Sequence, residues 1–68
     1  MNKRELESIM KKYGDTQASL ALFLGISRGC LNNKINERGE ASFTQPEIAA
    51  MKQKYNLSSE DIDRIFFT

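Results

Sequence analysis

The stretch that decides the fold is FLGISRGCLNNKI, residues 23–35, in which a helical pattern stops at Gly25 and resumes almost at once. Glycine suits the left-handed backbone of a sharp helix exit. Ser27 then offers a typical N-cap, and Leu31 and Ile35 recur at helical spacing. Ile26 falls in the angle between the two pieces. The stretch therefore predicts two short helices joined by a three-residue turn, the second covering about residues 27–36.

The outer side of the second helix is polar or small. If Leu31 and Ile35 face inward, five residues remain on the outside: Ser27, Arg28, Gly29, Asn32 and Asn33. Two short helices joined by such a turn form a helix-turn-helix, whose second helix can lie in the DNA major groove. Arginine can bind guanine with two donors, and asparagine can pair with adenine in the same way. These five residues are therefore predicted to read DNA bases.

The rest of the chain predicts an all-α fold with five helices in a single domain spanning residues 1–68. Cap residues mark the starts of four further helices: Asn2 with Glu5, Thr16, Thr44 with Glu47, and Ser58. Apolar residues at helical spacing then predict the core: Leu20, Ala21 and Leu24; Ile48, Met51 and Tyr55; Ile62, Ile65 and Phe66. The tyrosines and methionines are expected to fill the core, and Leu22 is expected to point outward.

The amino-acid composition and the charge distribution limit the classes of protein to which this chain can belong. The chain has no histidine and one cysteine, so we expect neither a disulfide nor a zinc site. No apolar run approaches the ~20 residues of a membrane span, which favours a soluble intracellular protein. The net charge is only +1, but residues 1–38 carry seven Lys or Arg against four Asp or Glu, whereas residues 39–68 carry three against five. The first half is therefore the expected face for a polyanion.

The segment TQASLALFLGISRGCLNNKIN, residues 16–36, resembles the helix-turn-helix of phage repressor and Cro-type regulators, the XRE-like group. The similarity lies in the Thr-Gln start, the alanine five positions into the motif, the Gly-Ile turn and the Ser-x-x-x-Leu second helix. FTQPEI and LSSEDIDRIFF resemble the fourth and fifth helices of small members from Gram-positive phages. The resemblance implies a compact, lambda-repressor-like five-helix domain that binds double-stranded operator DNA, usually as a homodimer, in the bacterial cytoplasm.

Phosphate contacts are expected beside the base-reading face. By the resemblance, Thr16 and Gln17 would touch phosphate at the start of the second helix, where the helix dipole adds positive charge. Asn36 and Arg38 fall where the family grips the DNA backbone. Independently of the family, Lys34 and Arg38 are cations better suited to phosphate than to bases.

Several alternatives stay open at this point. Gly29 weakens a helix and carries no base-reading side chain, so it indicates either a close approach of the backbone to DNA or simple fraying. Cys30 could be a reactive thiol or a small apolar filler, and Phe67 a core residue or part of a homodimer seam. Arg28 and Lys34 could be ordinary solvated charges.

The main rival function is a protein-interaction module, an antirepressor or adaptor that keeps the fold without DNA binding. The low net charge, Gly29 and Leu22 favour it. An enzyme is not expected, since there is no histidine, no glycine-rich phosphate loop and no convergent carboxylate pair. No cofactor and no small-molecule substrate are expected either.

Overall fold

Side-chain caps define where the helices begin. The computed structural model describes residues 1–67, and within that range it contains five helices and no strand: α1 (Lys3–Lys12), α2 (Gln17–Leu24), α3 (Arg28–Ile35), α4 (Gln45–Lys54) and α5 (Ser59–Phe66). Asn2 and Ser27 each accept a hydrogen bond from the backbone N–H three residues on. Thr16, Thr44 and Ser58 make reciprocal capping boxes. The predicted all-α character and helix starts are confirmed.

The turn between α2 and α3 is built as the sequence predicts. Gly25 has φ +74°, in the left-handed region, and its N–H donates to the carbonyl of Leu22. The N–H of Ile26 donates to the carbonyl of Ala21 at 3.0 Å. This pair of bonds is the Schellman pattern, which satisfies the last carbonyls of a helix and reverses the chain. Ser27 then starts α3, which packs against α2.

The core is aliphatic with one tyrosine. Its members come from all five helices and the segment after α4, and each is almost completely covered: Leu6, Met10, Leu20, Ala21, Leu31, Ile35, Met51, Tyr55, Leu57 and Ile65. Ala21 of α2 is 2% exposed. The N–H of Asn2 donates to the carbonyl of Ile65 at 2.6 Å and fixes the start of α1 on α5. Inward α3 residues thus anchor that helix and leave its other side exposed.

The two tyrosines differ from the expectation that both fill the core. Tyr55 is 2% exposed, whereas Tyr13 is 49% exposed. Tyr13 follows the last residue of α1, where its ring lies 5.2 Å from that of Tyr55 and its hydroxyl donates to the Tyr55 carbonyl at 3.0 Å. Tyr13 therefore covers the outer side of a buried tyrosine. Leu22 is 82% exposed, as its helical position predicts.

A polar cluster fixes the start of α2 against the end of α4. Asp15 accepts hydrogen bonds from the Tyr55 hydroxyl at 2.7 Å and from the Ser19 hydroxyl at 2.9 Å, and Lys54 Nζ lies 3.5 Å from its carboxylate. The Tyr55 bond is the main cause that lowers the pKa of Asp15. Burial, with the nearby carboxylate, raises the pKa of Tyr55. The cluster thus keeps a charged carboxylate where it orients α2.

No helix within residues 1–67 combines the length and the apolar character needed to cross a membrane.

Candidate functional site

A shallow surface groove brings together six of the ten residues that were predicted to read bases or bind phosphate. It has a volume of about 440 Å³ and lies between the start of α2, the outer side of α3 and the loop after α3. Six residues line it, and every one of them was singled out by the sequence: Gln17, Arg28, Gly29, Asn32, Asn33 and Arg38. Residues that are up to 21 positions apart therefore form one continuous surface.

The two arginines give the groove its charge. Within residues 1–67, the guanidinium groups of Arg28 and Arg38 have no hydrogen-bond or ion-pair partner, and no carboxylate lines the groove. Both residues are exposed. An arginine presents five donors in a fixed plane, which suits guanine edges and phosphate oxygens. The groove therefore offers two cations to an external anion or acceptor.

A hydrogen bond across the groove orients one of its amides. Asn32 Nδ2 donates to Gln17 Oε1 at 3.3 Å, which links the middle of α3 to the first residue of α2. Both side chains are partly buried. Asn33, the next residue, is exposed. The pair fixes the direction of the Asn32 side chain and leaves its carbonyl oxygen as a further acceptor.

Ser27 and Gly29 occupy the leading end of α3. The Ser27 hydroxyl accepts the N–H of Cys30 at 3.0 Å, so the cap role is confirmed, and Ser27 is exposed but does not line the groove. Gly29 lies inside the helix. A Cβ placed on it meets nothing within 4 Å of the protein. Cys30 is also exposed, which does not fit the expectation of a buried apolar filler.

Two of the predicted phosphate residues serve as caps and turn contacts. The Thr16 hydroxyl accepts the N–H of Ser19 at 3.1 Å, and Thr16 is exposed at the start of α2. Asn36 follows α3, and its amide donates to the carbonyl of Asn32 at 2.9 Å. Its side-chain oxygen accepts a hydrogen bond from Lys3 Nζ at 2.8 Å. Asn36 is therefore already engaged on both sides of its amide.

Lys34 points away from the groove. Its ammonium donates to Glu47 Oε1 at 2.8 Å and to the Ser42 carbonyl at 3.1 Å, and the side chains of Lys34 and Glu47 are each only 13% exposed. Burial opposes ionisation of Glu47, but hydrogen bonds from Lys34 and Thr44 outweigh it and lower the pKa of Glu47. Lys34 thus holds the loop after α3 against α4, and its ammonium is paired with Glu47 instead of facing the groove where a phosphate contact was predicted.

One cation near the site was missed by sequence reasoning. Lys3 starts α1, yet its ammonium reaches Asn36 at the end of α3. Nothing in the local pattern around Lys3 signals this, because the contact spans 33 residues. Lys3 adds positive charge beside Asn36, at the end of α3.

Residues 1–67 contain no group of three side chains that could hold a metal ion. The arrangement of the groove suits recognition of an anionic or hydrogen-bonding surface. No family model matches this chain, and comparisons with curated proteins and with solved structures find no match either.

Proposed function

We propose that this protein is a sequence-specific regulator of transcription that binds double-stranded operator DNA, of the phage or prophage repressor or Cro kind. In this proposal α2, the turn at Gly25 and α3 form a helix-turn-helix within a lambda-repressor-like domain. The observation that carries the proposal is the groove: among residues 1–67, two arginines without an ion-pair partner, two asparagines, a glutamine and a glycine line it, and no carboxylate does.

The groove residues take different roles on DNA. Arg28, at the first turn of α3, would bind the O6 and N7 atoms of a guanine, and Asn32, one turn further on, would pair with an adenine. Each contact is worth about 1–3 kcal/mol of discrimination between bases. Ser27 and Asn33 would contact neighbouring base edges. Specificity would thus depend on very few side chains.

Contacts to phosphate would supply affinity. Thr16 and Gln17 stand at the start of α2, where N–H groups and the positive end of the helix dipole favour an anion. Asn36 and Arg38 flank the other end of α3. Cations that bind phosphate release counterions from DNA, so affinity should fall steeply as salt rises.

Two copies would bind one operator, since a single domain of this size makes few contacts. The natural spacing of the half-sites is one helical turn, about 34 Å. A second groove, of about 490 Å³, lies beyond the end of α3, where Phe43, Ile48 and Phe66 form part of its wall. Phe67 stands at its edge and is 61% exposed. We assign this groove to the second copy, with Phe67 of each copy covering the wall of the other.

The test is selection of bound duplexes from a random pool, followed by titration at several salt concentrations. The proposal predicts an enriched sequence with two related half-sites. Arg28→Ala should relax the preference at one base position, and Arg4→Ala, an exposed cation of α1 outside the groove, should not. If micromolar protein at low salt leaves every duplex unbound, DNA binding is excluded.

One observation favours a second candidate, a protein-interaction module of the antirepressor or adaptor type. Leu22 and Phe23 are exposed side by side on α2. Phe23 also lies under the ammonium of Lys54, 4.7 Å from its ring centre. Absence of DNA binding, together with loss of a protein partner in Leu22→Ser, would support this alternative over the regulator.

A further inference from the structure

The ammonium of Lys3 is held at the carboxyl end of α3. Lys3 is the first residue of α1 and is exposed, yet its ammonium donates to Asn36 Oδ1 at 2.8 Å. Asn36 follows the last residue of α3, and its own amide donates to the Asn32 carbonyl at 2.9 Å. A lysine on a flexible four-carbon stem otherwise samples many rotamers. Because both polar atoms of the Asn36 amide are engaged, that amide has a fixed direction and orients Lys3.

The positive charge of Lys3 is not neutralised by any of the described residues. Its acceptor Asn36 is a neutral carboxamide, and no carboxylate within residues 1–67 forms an ion pair with it. Glu7, one turn further along α1, is not paired with it, and Glu37 pairs with the amino group of Met1 instead. An ammonium has three N–H donors, of which Asn36 takes one. Lys3 therefore keeps its charge and two donors for an external acceptor.

A phosphate at the carboxyl end of α3 needs a cation beside it. The unbonded carbonyls at this end of a helix carry a partial negative charge, which repels an anion. Lys34, the basic residue in the last turn of α3, does not offset this charge, because its ammonium is paired with Glu47. Asn36 is neutral and is already bonded through its oxygen and its nitrogen. The side chain at this position that can attract a phosphate is thus the one that Asn36 holds, Lys3.

We propose that Lys3 binds a phosphate of the DNA backbone at the carboxyl end of α3, and that Asn36 is the positioning residue that directs its ammonium there. This inference rests on the proposed function. It transfers to Lys3 the phosphate contact that the sequence assigns to Asn36, and Asn36 then acts through Lys3. The surface that contacts DNA accordingly extends beyond α2, α3 and the loop after α3 to the start of α1.

The experiment measures affinity for the selected operator from about 50 to 200 mM salt, a range over which phosphate contacts change affinity strongly. Lys3→Met, Asn36→Ala and the variant with both changes are compared with wild type. Arg4→Met is the matched control, because Arg4 is the adjacent exposed cation of α1 and the same charge is lost. Unfolding in urea, followed by circular dichroism, is measured on every protein.

We expect Lys3→Met to reduce the slope of log affinity against log salt concentration by about 0.9, the value of one phosphate contact. Its deficit in affinity relative to wild type should therefore shrink by about 3.5-fold between about 50 and 200 mM salt. Arg4→Met should keep a slope close to that of wild type. Lys3→Met should weaken binding at least about twofold less in the Asn36→Ala background than in wild type, because the ammonium is no longer directed at the phosphate there.

Three results would overturn the inference alone. Equal changes of slope in Lys3→Met and Arg4→Met would show that the cations of α1 act only through the overall charge. A wild-type slope in Lys3→Met, with or without a lower free energy of unfolding, would limit Lys3 to a structural contact at the end of α3. Additive effects of Lys3→Met and Asn36→Ala would remove the positioning role of Asn36. Failure of wild type to bind any duplex would instead remove the proposed function along with this inference.

Discussion

The hydrogen bond from the Tyr55 hydroxyl to Asp15 joins the end of α4 to the start of α2 at 2.7 Å, whereas Lys54 lies 3.5 Å from the same carboxylate. Tyr55→Phe removes the hydroxyl and keeps the buried ring, so the perturbation is confined to the bond of 2.7 Å. A hydrogen bond to a charged group is worth about 1.5–3 kcal/mol. In Tyr55→Phe, Asp15 keeps its hydrogen bond from Ser19 and its contact with Lys54. The free energy of unfolding should therefore fall by about 1.5 kcal/mol, the low end of that range. For a domain of this size that loss lowers Tm by roughly 6 to 12 °C.

The pH dependence of the stability lost in Tyr55→Phe distinguishes the effect of the hydrogen bond to Asp15 from an effect on packing. The pKa of Asp15 in the folded protein lies below its ordinary value of 3.8. A lowered folded pKa contributes stability that is complete above the unfolded pKa and is lost as pH falls through the folded pKa. The difference between Tyr55→Phe and wild type should therefore be constant from about pH 7 to pH 5 and shrink below about pH 3.8.

The assay is urea unfolding followed by circular dichroism between pH 7 and pH 3. Tyr13→Phe is the matched control, since the Tyr13 hydroxyl donates to a backbone carbonyl that does not titrate. Tyr13→Phe should lower the free energy of unfolding by about 0.5–1 kcal/mol at every pH in this range. Two results would refute the role given to the Asp15 bond. One is a loss of unfolding free energy in Tyr55→Phe that is smaller at pH 7 than the loss in Tyr13→Phe. The other is a loss in Tyr55→Phe that is the same at pH 3 as at pH 7.

Three further predictions concern the turn, the cations and the second groove. Gly25→Ala should destabilise the protein by about 1–2 kcal/mol in urea unfolding, because alanine must adopt φ +74° although its Cβ has room; an unchanged midpoint would contradict this. Arg38→Ala should reduce the slope of log affinity for DNA against log salt concentration by about 1. Lys34→Met should leave that slope unchanged and lower the free energy of unfolding by about 1–3 kcal/mol. The reverse pattern would argue for a phosphate contact at Lys34. Phe67→Ser should weaken pairing on a two-half-site operator and leave single half-site binding intact, and equal effects on both duplexes would exclude the proposed seam.

The helices and their caps could be predicted because the signals are local. The Ser27 hydroxyl and the Cys30 N–H that donates to it lie three residues apart, and the bonds that close the Gly25 turn lie within six residues. A side chain and the backbone it caps are neighbours in sequence, so a short pattern is enough. The outward face of α3 followed from the same periodicity. For this reason the sequence alone predicts the residues that line the groove.

The partners of the charged side chains could not be predicted in this way. Lys34 meets Glu47, 13 residues on, Lys3 meets Asn36, 33 residues on, and the tie between Tyr55 and Asp15 spans 40 residues. Such contacts depend on how whole helices pack, and helical periodicity does not encode that packing. A periodic pattern assigns Lys34 to a face of α3, but only the tertiary fold shows that its ammonium is neutralised there.

The exposure of residues at helix ends could not be predicted from helical periodicity either. Tyr13 follows the last residue of α1, so helical periodicity no longer sets the direction of its side chain. The structure places its ring on the outer side of Tyr55 instead. Cys30 lies on the exposed side of the first turn of α3, where its backbone N–H is used by the Ser27 cap.

The most direct test of the account is to map the surface that a DNA duplex contacts. Backbone amide signals of the isotope-labelled protein are followed by NMR as the selected duplex is added at low salt. We expect the largest shifts on residues 28–33, Gln17 and Arg38, and little change at the exposed pair Leu22 and Phe23. Shifts confined to Leu22 and Phe23, or a spectrum that the duplex leaves unchanged, would contradict it.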